Sequence, residues 1–276
     1  MSNKKFFPAA ILSLAVLFTS CSAGGTEVSE TVSETTSAVE SIDTSGVEYM
    51  KEALQADWND PFGIELYAAD LNGDGIKELF VTYSFDASTN GLVYIYDVSD
   101  GMKKLYEISA RMLSEKSGLY KDENGTVHLI LKQGYAGELD TAYFDIAYDS
   151  IKMPIYAKEY DWYDGGAHLL AYDLYKNCEF APLDFINDFS GWRNFDPEKA
   201  EYIGRFDTGC VWDAIVYDKS NEISEIIQKE VYENMTYVSD IEMIYDSSEN
   251  FKNHIIVWDF EEFWQEAAPK LAEIYG

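Results

Sequence analysis

Basic residues are scarce in this chain. Lys and Arg together number 20 against 50 Asp and Glu, which gives a formal net charge of −30. A surface with so few cations is repelled by phosphate backbones, so the composition argues against nucleic acid as a partner. The same excess of acids attracts cations, although a charge of this size also serves solubility alone.

The sequence also lacks the short motifs of the common enzyme classes. It has no Gly-x-Ser-x-Gly elbow, no His-Glu-x-x-His pair and no phosphate-binding glycine loop, and its one Ser-x-x-Lys begins at Ser2. His128, His168 and His254 are isolated along the chain, so we expect surface or packing histidines. No catalytic residue is predicted.

Cysteines number only three, and their positions predict separate roles. Cys21 follows a basic start, an apolar run over 6–18 and the pair Thr19-Ser20, which is the order of a secretory leader. The apolar run is shorter than the roughly 20 residues of a spanning helix. Cys178 and Cys210 remain as an even pair in an exported chain, and form either a disulfide or two buried thiols.

The segment Phe18-Thr19-Ser20-Cys21 resembles the lipobox of bacterial lipoproteins, in which the cysteine is acylated and becomes the mature N-terminus. The resemblance implies that residues 1–20 are a signal peptide. It also implies that lipid on Cys21 anchors the protein to the bacterial membrane, facing outward. Residues 21–46 are rich in Ser, Thr and Glu and contain no aromatic residue, which is typical of a disordered tether. Ordinary leader cleavage, releasing a soluble protein, is the alternative.

Residues 47–160 predict a β-rich domain. A short helix over 47–57 is followed by apolar and aromatic runs, and pairs such as Asn90-Gly91, Asp100-Gly101 and Asn124-Gly125 supply the turns between them. We expect an antiparallel hairpin meander, either propeller-like or an open curved sheet. Its strands are predicted at 64–69, 79–83, 92–97, 104–108, 118–121, 127–132, 142–148 and 155–159.

Residues 161–276 predict a smaller α+β part, so the fold class is α+β, mainly β. Apolar residues recur at helical spacing over 222–235, and a second helix is expected from Asp259, whose side chain can cap it. Pro269 is expected to end or kink that helix. Strands are predicted at 241–245 and 255–258.

One loop carries metal-binding chemistry. Asp70, Asn72, Asp74 and Glu78 stand at loop positions 1, 3, 5 and 9, with glycine at position 6. Ca²⁺ takes about six to eight hard oxygens, which such a loop supplies from alternate side chains and from the carbonyl of Ile76. An EF-hand is excluded because both flanks are strand-like and position 12 is not an acid.

The string from Leu66 to Tyr83 instead resembles the calcium loop of FG-GAP and VCBS repeats, in which a β-hairpin carries Asp-x-Asp/Asn-x-Asp-Gly-x-x-Asp. Glu78 replaces the final Asp. The resemblance implies a structural Ca²⁺ that holds two strands in register. A tight turn without metal is the alternative, because Asn, Asp and Gly favour turns by themselves. A second string with polar side chains at loop positions 1, 3 and 5, at 86–91, is expected to be a plain hairpin loop.

Trp162 and Tyr163 are candidate ligand contacts. They lie in an Asp- and Gly-flanked stretch over 161–166, which is typical of a binding loop. The expected function is a calcium-stabilised extracellular module that binds or adheres to a glycan or peptide. A cell-surface hydrolase of glycan or peptide polymers and a structural subunit of an envelope complex are the alternatives.

Overall fold

The computed structural model describes residues 43–85, 91–109, 117–134, 141–164, 167–179, 198–210, 220–247 and 259–276. It describes only the backbone at 109, 134, 161–164, 167–170, 208–210 and 220. The predicted signal peptide, Cys21, most of the tether, the string at 86–90 and the strand at 255–258 lie outside the described residues. Among the described segments, no helix combines the length and apolar character needed to cross a bilayer.

The first and last described elements are helical, and between them runs a long series of strands with one further helix among them. A single 3-10 turn, Ser45–Val47, leads into the first helix. In chain order the elements are α1 Glu48–Ala56, β1 Gly63–Ala69, β2 Glu78–Ser84, β3 Gly91–Asp97, β4 Lys103–Ser109, β5 Gly118–Lys121, β6 Val127–Gly134, β7 Thr141–Ala147, β8 Ser150–Asp164, β9 Ala167–Cys178, β10 Glu201–Cys210, α2 Ser220–Tyr232, β11 Thr236–Asp240, β12 Glu242–Asp246 and α3 Phe260–Tyr275.

The strands form two open antiparallel sheets. The order is β12-β1-β2-β3-β4 in the five-stranded sheet and β10-β9-β8-β7-β6-β5-β11 in the seven-stranded sheet. Most neighbours are also consecutive in sequence, as expected of a hairpin meander. The prediction of a mainly β, antiparallel α+β fold is therefore confirmed, with open sheets rather than propeller blades.

The expected boundary after residue 160 falls inside β8. Both sheets contain strands from each side of it, because β12 pairs with β1 and β11 pairs with β5. The segments 47–160 and 161–276 therefore share both sheets instead of forming separate parts.

The two sheets pack face to face around one apolar core. Inward-facing residues of both sheets meet there, since side chains alternate between the faces of a strand. The largest contributors are Tyr67, Leu71, Phe80, Val93, Ile95, Leu129, Leu131, Phe144, Ile146, Met153 and Tyr156.

Helices cover the outer faces of the sheets. Met50 and Leu54 of α1 and Phe263, Trp264 and Leu271 of α3 pack on the five-stranded sheet. This cover explains why β1 and β3 are buried at every position instead of alternating. On the seven-stranded sheet α2 contributes Val231, Ile226 and Ile227 to a smaller cluster. The molecule is thus layered helix, sheet, sheet, helix.

The last helix begins as predicted and does not end at Pro269, while the alternative, a kink at that residue, stays a prediction. The Asp259 carboxylate accepts the Glu262 backbone N–H at 2.8 Å, which caps the first turn. The helix then continues through Pro269 to Tyr275. Proline removes one helical hydrogen bond, and the fully buried side chains of Phe263 and Leu271 on either side hold the helix against the sheet.

Cys178 is a free, buried thiol, and the predicted alternative of a bridge to Cys210 is wrong. Cys178 is the last residue of β9. Cys210 lies in β10 and pairs with Leu169, which is near the beginning of β9. About nine strand residues span about 30 Å, far beyond the Cα separation of about 7 Å that a disulfide tolerates.

Candidate metal centre at the β1–β2 loop

The predicted calcium loop closes a regular hairpin. β1 and β2 pair without interruption up to Ala69 and Glu78, so residues 70–77 form the connection. Gly73 and Gly75 adopt φ values of 79° and 88°, which a residue with a Cβ resists. These two glycines let the chain reverse tightly while the alternate polar side chains turn inward.

The side chains at loop positions 1, 3 and 5 fold over the backbone. The two carboxylate oxygens of Asp70 accept the N–H groups of Gly73 at 2.7 Å and Gly75 at 3.0 Å. Asn72 accepts from the Asp74 N–H at 2.9 Å, and Asp74 accepts from the Ile76 N–H at 2.7 Å. Three oxygen-bearing side chains are therefore fixed on one exposed turn.

Glu78 distinguishes this loop from a plain turn. Its side chain is only 1% exposed, and its carboxylate accepts the Leu71 N–H at 2.7 Å. Burial raises the pKa of Glu78 from its ordinary value of 4.5 to about 7, against the opposing effect of that hydrogen bond, and the negative charges of Asp70 and Asp74 raise the pKa further. The loop thus concentrates negative charge on a desolvated acid.

The donor chemistry of these residues fits Ca²⁺, because all the side-chain ligands are hard oxygens. Within the described residues, however, no three Asp, Glu, His or Cys side chains converge closely enough to hold a metal ion. The reason is local: the carboxylates of Asp70 and Asp74 bond to amides of their own loop. The structure therefore brings together four predicted ligands on one turn without closing them around one point.

The loop interacts with three other parts of the molecule, two through direct contacts and one through its charge. Lys77 forms an ion pair with Glu242 of β12, and the Tyr275 hydroxyl of α3 donates to the Glu78 carbonyl at 3.5 Å. Tyr148, in the β7–β8 turn, lies close enough for the charges of Glu78 and Asp74 to raise its pKa, although its hydrogen bond to Asp97 is the main cause. A change at the loop would therefore reach both sheets.

The second predicted site has a different backbone from the expected one. Trp162 and Tyr163 lie within β8, paired with Leu169 and His168 of β9. The stretch expected to be a loop is therefore largely regular strand, because the β8–β9 hairpin continues to Asp164 and Ala167. The side chains of both residues lie outside the described ones.

A cavity of about 660 Å³ opens beside the end of β9. Its lining includes Asp145, Lys152, Met153, Glu230 and the thiol of Cys178. Burial raises the pKa of Cys178 to about 12, so this thiol stays protonated at neutral pH and is a poor nucleophile.

Sequence reasoning missed one pairing of polar side chains. His128 Nδ1 lies 2.6 Å from Asp145 Oδ1 across the β6–β7 pair. The two residues are far apart in sequence, and their proximity follows only from the strand register.

The chain matches no protein-family model, and neither a curated protein nor a solved structure is detectably similar to it. No relative therefore suggests a function.

Proposed function

We propose that this protein is an exported lipoprotein, anchored through Cys21, whose β-sandwich binds a glycan or peptide and is stabilised by Ca²⁺ at the β1–β2 loop. The observation that carries the calcium part is the buried Glu78 carboxylate. Ionised Glu78 accepts the backbone N–H groups of Leu71 and of Glu78 itself, and it has two negative neighbours, Asp70 and Asp74. A bound cation offsets both the lost solvation and the repulsion.

The surroundings of the loop favour a structural role for the calcium ion over a regulatory role. The loop ends directly on β1 and β2, both buried in the five-stranded sheet, and its last ligand lies under Tyr275 of α3. An ion at this point ties two central strands to the C-terminal helix. Its removal should therefore lower the stability of the whole sandwich.

The membrane anchor is supported by the sequence order of leader, cysteine and polar tether. A decisive test is metabolic labelling with a palmitate analogue in a bacterial host. Lipid on the wild-type chain, and none on Cys21→Ala, would support anchoring. Quantitative release of unlabelled wild-type protein into the medium would contradict it and indicate ordinary leader cleavage.

Binding is the part of the proposal that needs a ligand screen. The mature chain should be applied to glycan and peptide arrays with Ca²⁺ and with chelator, beside the variants Trp162→Ala and Tyr163→Ala. We expect at least one ligand to be retained by the wild type in Ca²⁺ and to be weakened in the variants. Turnover of an arrayed polymer, lost when one acid is neutralised, would instead indicate a hydrolase. Absence of binding to every glycan and peptide on both arrays would contradict the proposal.

A further inference from the structure

His128 is a nearly buried histidine bracketed by two carboxylates. It lies in β6, directly opposite Tyr120 of β5, and only 9% of its surface is exposed. Its Nδ1 is 2.6 Å from Asp145 Oδ1, and its Nε2 is 3.7 Å from Asp122 Oδ2. From the sequence alone, a surface or packing histidine is expected here.

The contact with Asp145 determines which nitrogen of His128 carries a proton. An ionised carboxylate only accepts hydrogen bonds, so Nδ1 must donate. In the neutral imidazole Nε2 then bears a lone pair and no hydrogen. In metal-binding histidines, a carboxylate commonly accepts a hydrogen bond from the ring nitrogen that does not bind the metal, and this bond fixes the orientation of the ring.

Nε2 has no hydrogen-bond partner and is inaccessible to solvent. It faces Asp122, so a lone pair and a carboxylate oxygen point at each other across 3.7 Å. Buried polar atoms without partners cost about 1 to 3 kcal/mol each and are rare in folded proteins. A cation between the two atoms would satisfy both.

Asp122 is itself held in place for this role. Its Oδ1 accepts the N–H groups of Asn124 at 2.9 Å and Thr126 at 2.8 Å, and its Oδ2 accepts from Asn124 Nδ2 at 3.3 Å. These bonds belong to the turn between β5 and β6. Its side chain is 23% exposed, so an ion and its water ligands can approach from the hairpin tip.

We propose that His128 Nε2 and Asp122 Oδ2 bind a divalent transition-metal ion such as Zn²⁺, with Asp145 orienting the imidazole and water completing the coordination. Zinc bonds to His nitrogen and Asp oxygen are about 2.0 to 2.2 Å long. Two such bonds spanning 3.7 Å meet at about 115 to 135°, which is wider than an ideal tetrahedral angle, so the two atoms would move slightly closer together on binding. The described residues contain no group of three or more His, Cys, Asp or Glu side chains that could hold a metal ion. The proposed site needs only two protein ligands, so that absence does not exclude it.

This ion differs in kind from the one proposed at the β1–β2 loop. Ca²⁺ binds hard oxygens, whereas an imidazole nitrogen suits zinc and its neighbours. The two sites also lie on different hairpins of different sheets. The inference therefore does not depend on the proposed function. Saturating Ca²⁺ in the assay occupies the β1–β2 loop, so that Zn²⁺ binding at His128 is measured separately.

The test is calorimetric titration of the mature chain with Zn²⁺ in saturating Ca²⁺ at pH 7.5, on the wild type and matched variants. We expect His128→Gln to abolish one site and Asp122→Asn to weaken it at least about tenfold. Asp145→Asn, which removes the orienting carboxylate, should weaken it by about 10- to 100-fold. His254→Gln is the matched control and should bind like the wild type.

A second readout avoids reliance on variants that fail to fold. Histidine nitrogen chemical shifts of the wild type should show His128 protonated at Nδ1, and Nε2 should shift on addition of Zn²⁺. Zn²⁺ binding that is unchanged in His128→Gln would overturn the proposal. So would nitrogen shifts of a doubly protonated His128 that do not respond to Zn²⁺, because a proton would then fill the place of the ion.

Discussion

Glu78→Gln should stabilise the calcium-free protein above pH 7. The wild-type carboxyl has its pKa raised from 4.5 to about 7. Between these values the folded state binds more protons than the unfolded state, so the free energy of unfolding falls as pH rises. The full shift corresponds to at most about 3.4 kcal/mol, lost between about pH 4.5 and 7. Gln has the same size, can still accept the Leu71 N–H, and carries no charge.

Urea unfolding in chelator at pH 5, 6, 7 and 8 measures this effect. The difference in unfolding free energy between Glu78→Gln and wild type should be small at pH 5 and should grow in favour of the variant up to about pH 7. Other acids cancel in the difference because they are common to both proteins. Asp100→Asn is the matched control, since Asp100 is an exposed acid in another Asp-Gly turn. A difference that is flat with pH, or that favours the wild type at pH 8, would refute the reasoning.

Three further predictions concern the packing and the free thiol. Phe263→Ala should lower the unfolding free energy by about 3 to 5 kcal/mol in urea melts, because its ring is fully buried and lies 5.3 Å from that of Trp58. Asp259→Ala should cost about 1 kcal/mol in the same assay through loss of the α3 cap, with Asp100→Asn again as the control. Cys178 should resist iodoacetamide at pH 7.5 until denaturant is added, because burial raises its pKa to about 12. Mass spectrometry measures the alkylation, and alkylation of Cys178 in native protein would contradict the prediction of a buried, protonated thiol.

The hairpin region could be predicted closely because its signals are local. Apolar runs of strand length, separated by Asn-Gly and Asp-Gly pairs, specify β1 to β7 without knowledge of the rest of the chain. The Asp259 cap is equally local. The helix does not end at Pro269, because the penalty of a helical proline is local while the packing that offsets it comes from the sheet.

Non-local features could not be predicted in the same way. β11 is exposed at all five positions, so it has no apolar alternation to reveal it. The pairing of β12 with β1 joins residues about 180 positions apart, and no single-sequence pattern encodes it. The acids and glycines at 161–166 indicated a loop, yet the register of β8 with β9 extends the hairpin through most of this stretch.

The candidate sites likewise combine local features, which the sequence shows, with non-local features, which it does not show. The ligand types and spacing of the β1–β2 loop are visible in the sequence, because one short turn contains them all. The burial of Glu78, which argues for an ion, depends on cover from other strands and from α3. The grouping of His128 with Asp145 depends wholly on strand pairing.

Thermal unfolding of the mature protein in Ca²⁺ and in chelator tests the central claim most directly. At a Ca²⁺ concentration about a hundredfold above the dissociation constant, binding to the folded state alone adds about 2.7 kcal/mol of stability. We predict a higher melting temperature in Ca²⁺ for the wild type and for Asp100→Asn, and a smaller rise for Asp74→Asn, which keeps an oxygen ligand but removes one negative charge. Equal melting temperatures of the wild type in Ca²⁺ and in chelator would contradict the account.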